Sequence, residues 1–272
     1  MNLHTFKANF FSQNGEDGII QAIFNQIGIK YRTCCEFGAW DGVYLSNCRK
    51  LILEDWKALM IEGNTERYHL LIQNYQNIPS VIPVNCFVDD KRNSLGRIAK
   101  NYGFELLDFL SIDIDGLDFE IFSSLDIFPR VICVEVNAGH SPTTSSRIRQ
   151  SIAMGNVGQP LSLFTSEASK RGYDLVCYNA NAFFVKSELR KVSNLSALST
   201  QEAYKQYLDH LDMQGKEWMY LVNLGLVCPF YSFSNRLLRR KSLGIGFLRA
   251  IFLRWNSFLP FLRNLLHKII IF

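Results

Sequence analysis

Apolar residues in this chain gather in short runs, each followed by a stretch in which they recur every three or four positions. Runs of the first kind read as buried strands, and stretches of the second kind as amphipathic helices. On that reading, strands are predicted over residues 33–37, 58–61, 81–88, 106–112 and 131–136. Helices are predicted over 17–27, 45–53, 65–74, 94–102, 119–124 and 161–171. The first helix is entered through the polar loop Ser12-Gln13-Asn14-Gly15 and stopped near Gly28. The run GYDLVCYNANAFFVK then sets two β-type segments around Asn179-Ala180-Asn181, the form of an antiparallel hairpin. Five strand–helix units followed by a hairpin predict a Rossmann-like α/β fold. Its sheet should be seven-stranded and mostly parallel, with an antiparallel last strand. Polar residues without periodicity fill 137–160, and a connection of that kind usually serves as a lid or substrate loop. The pattern divides the chain into a body, 1–190, and a helical C-terminal extension, 191–272.

Charge sharpens that division. The 272 residues carry 29 Lys/Arg and 25 Asp/Glu, but eight of the basic residues and none of the acidic ones lie beyond Glu217. The first 217 residues therefore hold 21 basic against 25 acidic groups, an acidic body with a basic tail. At helical spacing Leu248, Phe252, Trp255, Leu259, Leu262 and Leu266 share one stripe, with most of the nearby polar residues elsewhere and Pro260 interrupting the helix. From Arg236 onward every uncharged stretch is under ten residues, too short to span a bilayer. A basic amphipathic segment over 236–272 suits an anionic membrane surface, or packs on the body or on a second copy in a homo-oligomer. Nucleic acid ranks third, since no binding module accompanies the charge. Seven cysteines, several inside apolar runs and none in a C-x-x-C pair, read as reduced core thiols. The opening MNLHTFKANFF lacks the apolar core of a secretory signal. A cytoplasmic protein is expected, peripheral at the inner membrane face on the membrane reading of the tail.

The candidate chemistry lies at predicted strand ends. Glu36-Phe37-Gly38-Ala39-Trp40-Asp41-Gly42 closes the first strand without a G-x-G-x-x-G pattern. Ligands of open α/β sheets bind outside the carboxyl ends of the strands. Carboxylates at Glu36 and Asp41 favour a cationic ligand over a diphosphate, which wants a helix N-terminus free of negative charge. Glu62, 26 positions after Glu36, ends the second strand, where a carboxylate accepts from ribose hydroxyls or simply faces solvent. Asp89 and Asp90 follow the third strand, either meeting an adenine amino group or lying in a solvated turn. Asp113 and Asp115 end the fourth. They can share a divalent metal, divide base and orienting roles, or cap the next helix. His140 follows the fifth strand and is a natural base for an acceptor hydroxyl, or a loop histidine without a role.

Five segments in order carry a resemblance: Phe11-Ser12-Gln13-Asn14-Gly15-Glu16-Asp17-Gly18-Ile19, Glu36-Phe37-Gly38-Ala39, Ile61-Glu62-Gly63-Asn64, Asp113-Ile114-Asp115-Gly116 and Val134-Glu135-Val136-Asn137. Over residues 11–187 the chain resembles the FkbM-type S-adenosylmethionine (SAM)-dependent methyltransferases, of the class I fold. More narrowly it resembles a bacterial branch found among polysaccharide and surface-glycan genes. The resemblance implies methyl transfer from SAM to an oxygen, often a sugar hydroxyl, of a glycan or its lipid- or nucleotide-linked precursor. Carried over, Glu36, Gly38 and Asp41 would hold the amino acid end of SAM and Glu62 the ribose, with Ala39 and, on the reading above, Asp89 as further cofactor contacts. Asp113 would lie under the sulfonium, and Asp115 and His140 would join it as catalytic candidates. Trp40 departs from the pattern, where a small residue is expected. This departure keeps a second reading open, a degenerate methyltransferase fold used for binding or scaffolding. NAD is a third reading, opposed by the missing glycine pattern.

Overall fold

The computed structural model describes residues 1–88, 93–114, 116–148 and 158–211. A 3-10 turn, Leu3–Phe6, precedes the first helix, α1 (Glu16–Ile27). Then follow β1 (Thr33–Phe37), α2 (Arg49–Leu53), β2 (Lys57–Glu62), α3 (Thr65–Tyr75), β3 (Val81–Asn85) and α4 (Leu95–Asn101). The second half contains β4 (Phe109–Ile112), α5 (Asp118–Ser124), β5 (Val131–Glu135), α6 (Leu161–Lys170), β6 (Tyr173–Asn179), β7 (Asn181–Lys186), α7 (Ser187–Lys191) and α8 (Thr200–Asp209). The described strands form one sheet in the order β3-β2-β1-β4-β5-β7-β6. β1 to β5 pair in parallel, and β7 runs antiparallel to both β5 and β6.

Alternation along the strands produces three layers. Cys34, Phe109, Val131 and Cys133 point into an apolar layer shared with Ile19 and Ile23 of α1, Leu51 and Ile52 of α2, and Leu71 and Tyr75 of α3. Their neighbours Cys35, Leu110, Ile132 and Val134 point the other way, onto Ile98 of α4, Phe122 of α5 and Phe164 of α6. Both faces of the strands are covered, so they read as continuous apolar runs. Ala203, Tyr204 and Tyr207 of α8 join this second layer, so a helix beyond residue 190 packs with the body.

Element types agree with the sequence reading, while several bounds differ for local reasons. The helix expected over 45–53 begins at Arg49, because Ser46 and Asn47 are held by Glu36 instead of entering a helix. The fourth strand begins at Phe109 rather than Leu106. Just before it, the buried carboxylate of Asp108 accepts from the amides of Lys30, Tyr31 and Arg32 and from Arg130 Nη1 at 2.6 Å. That arrangement clamps the amino edge of the sheet, and Arg130 also donates to the Ile27 and Gly28 carbonyls at the end of α1. α8 lies within the extension expected to be helical, and Ser199 and Glu202 make a reciprocal capping box at its start. The tail stripe from 248 to 266 lies outside the described residues.

Candidate active site

Strand order reverses between β1 and β4, and the first loop is built there. Gly38 has φ +85°, and a β-carbon on it would stand 1.8 Å from the carbonyl oxygen of Asp113. Glycine is therefore required for β1 and β4 to close at this point. The Asp113 amide donates to the Phe37 carbonyl at 3.0 Å, and the amides of Gly38 and Ala39 both donate to Ile61 O, at 3.1 and 3.0 Å. Gly38 and Ala39 thus tie the loop to β2.

The three expected carboxylates have distinct surroundings. Glu36, 5 % exposed, accepts from Ser46 Oγ and from the Asn47 amide at 2.7 Å. Burial pushes its carboxyl up to about 7, against the opposing pull of those hydrogen bonds. Asp41 Oδ1 accepts from the amides of Val43 and Tyr44, at 2.9 and 2.8 Å, closing a turn within the loop. Glu62, also 5 % exposed, bridges two loops: Oε2 accepts from the Trp40 amide at 2.8 Å and Oε1 from the Asn64 amide at 2.7 Å. Each oxygen has used one of its acceptor positions in these bonds. Trp40 adopts φ +52°, and its ring lies 3.8 Å beneath the Arg67 guanidinium at the start of α3.

At the ends of β4 and β5 three carboxylates of the described residues come together. Asp113 is exposed, and it converges with Asp118 and Glu135, one oxygen of each lying within 4.8 Å of the others. These are hard oxygen donors of the kind that divalent cations take. Asp118 also has a local task, accepting from the amides of Ile114 and Gly116 at 2.9 Å each. The turn leading into α5 is therefore held by Asp118, whereas the sequence reading gave capping to Asp113 or Asp115. Asp115 and Asp89 lie outside the described residues. His140 sits in the loop after β5, partly buried. Burial lowers its pKa, and the backbone hydrogen bond with Gly158 acts in the opposite direction. Its Nε2 is buried without a hydrogen-bond partner among the described residues.

The loop at Phe11–Gly15 comes to the same edge. Asp17 Oδ2 accepts from the amides of Phe10, Phe11 and Ser12 and from Ser12 Oγ, which fixes the loop. Asn181 Nδ2 donates to Glu16 Oε1 at 3.0 Å, and Asn179 Nδ2 donates to the Asn14 carbonyl. The hairpin apex, Ala180 at φ +64°, thereby locks onto the N-terminal loop beside the end of β5. Sequence reasoning singled out both segments but missed this contact, since nothing local marks residues 165 positions apart as partners.

Strand order and the antiparallel β7 define the class, a Rossmann-like α/β fold with the strand arrangement of the class I methyltransferases. No family model matches the chain, and no curated protein does. Among solved structures it is similar to the crystal structure of M. jannaschii TYW2 in complex with AdoMet. That likeness has 16% identity over 65% of this chain and 78% of that one, with a TM-score of 0.33.

Proposed function

We propose that this protein is a SAM-dependent O-methyltransferase whose acceptor is a sugar hydroxyl of a glycan or its lipid- or nucleotide-linked precursor. The observation that carries the reading is Glu62. It is a buried strand-end carboxylate held by two backbone amides beside the point where strand order reverses. Such a group keeps acceptor capacity for paired ribose hydroxyls. The residues fit the cofactor further in their charge, because the exposed Asp113 and the partly buried Glu135 favour a cation at the end of β4 and β5.

SAM, when bound, supplies an electrophilic methyl on a sulfonium. The protein's own part is to position and to move one proton. Asp113 faces the reacting end, and alignment of nucleophile and methyl supplies much of the acceleration. His140 takes the acceptor's hydroxyl proton at Nε2. Its lowered pKa keeps the imidazole neutral, and so able to accept a proton, at and below neutral pH. A divalent cation, if one is used, would be held by Asp113, Asp118 and Glu135. The proposed role of the basic segment 236–272 is attachment to an anionic membrane surface.

Incubation with SAM carrying a labelled methyl and a panel of bacterial glycans and nucleotide sugars tests the reading. Label should appear on a sugar oxygen, and His140→Gln should lower kcat about 100-fold or more. Wild-type activity should hold to a pH below that of an ordinary histidine before it falls. Cofactor binding with no methylated sugar in any acceptor would remove the acceptor assignment.

A further inference from the structure

Arg49 opens α2 directly after the loop that follows β1, its amide donating to Ser46 Oγ at 3.0 Å. Its guanidinium lies over two rings, 5.0 Å from the centroid of Tyr75 and 5.9 Å from that of Phe11. The hydroxyl of Tyr75 donates to the Gly42 carbonyl, which fastens this ring to the loop of Gly38 and Asp41. The Tyr75 hydroxyl also pairs with the Arg49 side chain, yet Nε and Nη1 of Arg49 are buried without an acceptor of good geometry among the described residues. Buried N–H groups of a cation left without an acceptor are costly and uncommon, and these two have room for a further one.

The chemistry around the loop says which acceptor. Glu36 and Asp41 already accept from loop donors, and their remaining oxygen capacity suits an ammonium. Neither brings a positive charge to a carboxylate. The amino acid end of SAM carries both charges, so its α-carboxylate needs a donor at this same loop. We propose that Arg49 is that donor, pairing Nε and Nη1 with the two carboxylate oxygens once the Phe11 side chain has moved off the guanidinium. This inference rests on the cofactor reading above. Two parallel N–H···O bonds from a planar fork give the pairing a geometry that lysine cannot copy. Entry displaces the Phe11 side chain, which belongs to a loop.

Two ligands separate this inference from the reading beneath it. S-adenosylhomocysteine keeps the amino acid end, and 5′-methylthioadenosine lacks it. Calorimetry on the full chain should show Arg49→Met weakening S-adenosylhomocysteine about tenfold or more while 5′-methylthioadenosine is unchanged. Arg49→Lys should recover part of the loss. Unchanged binding of 5′-methylthioadenosine also certifies that the variant's nucleoside site is folded. If the wild type binds both ligands and Arg49→Met weakens neither, or weakens both equally, the cofactor reading stands and the assignment of Arg49 falls. If the wild type binds neither, both fall together.

Discussion

The carboxylate of Glu62 holds the backbone of Trp40, accepting its amide proton at 2.8 Å from the end of the neighbouring strand. The indole itself turns toward α3 and stacks under Arg67. The bulky residue that breaks the expected small-residue pattern is therefore anchored through its amide, with its ring against a helix. Trp40→Gly keeps the amide that Glu62 binds and relieves a positive φ. SAM affinity of Trp40→Gly should stay within about threefold of wild type by calorimetry. A gain of about tenfold or more would mean that the ring fills the site, and would favour the scaffolding reading.

At the opposite edge of the sheet, Asp108 is fully buried and Arg130 is 8 % exposed. Removing one partner of such a pair leaves the other charge uncompensated. Arg130→Met should lower stability by about 3–5 kcal/mol in urea unfolding. Since this clamp lies far from the ends of β1 and β4, SAM affinity of the folded fraction should not change.

Acid sensitivity should arise at the N-terminus. His4 is 3 % exposed and stacks on His210 at 4.5 Å, with neither of its ring nitrogens hydrogen-bonded among the described residues. Burial, helped by His210 and Lys7, lowers its pKa to about 4. The unfolded chain takes up this proton near pH 6.5 and the folded chain near 4, so His4 favours folding fully above that window. Its contribution disappears as pH falls from about 6.5 to about 4. Unfolding midpoints measured across that range should drop in wild type and drop less in His4→Phe. Equal slopes would contradict this placement of the proton.

Much of the fold was legible because burial of both sheet faces makes strands continuous apolar runs, and helical periodicity fills the gaps between them. Strand-end carboxylates were legible too, since a strand's end can be read from where its apolar run stops. Their partners were not. Nothing in the sequence says that Glu36 holds Ser46 and Asn47, that Asp41 closes its own turn, or that Asp118 and Glu135 come to Asp113. Those contacts depend on how two loops and two strands close at one edge, a tertiary outcome that local spacing does not encode. Arg49 was missed for the same reason, because its rings come from residues before α1 and at the end of α3.

The central claim is that the edge holding Glu62 binds SAM, and calorimetric titration of the purified chain tests it most directly. SAM should bind in the micromolar range, NAD should not bind, and Glu62→Ala should weaken SAM about tenfold or more, the loss expected for a charged acceptor facing two hydroxyls. A folded wild-type protein that takes up no SAM, or that binds NAD in its place, would contradict the account.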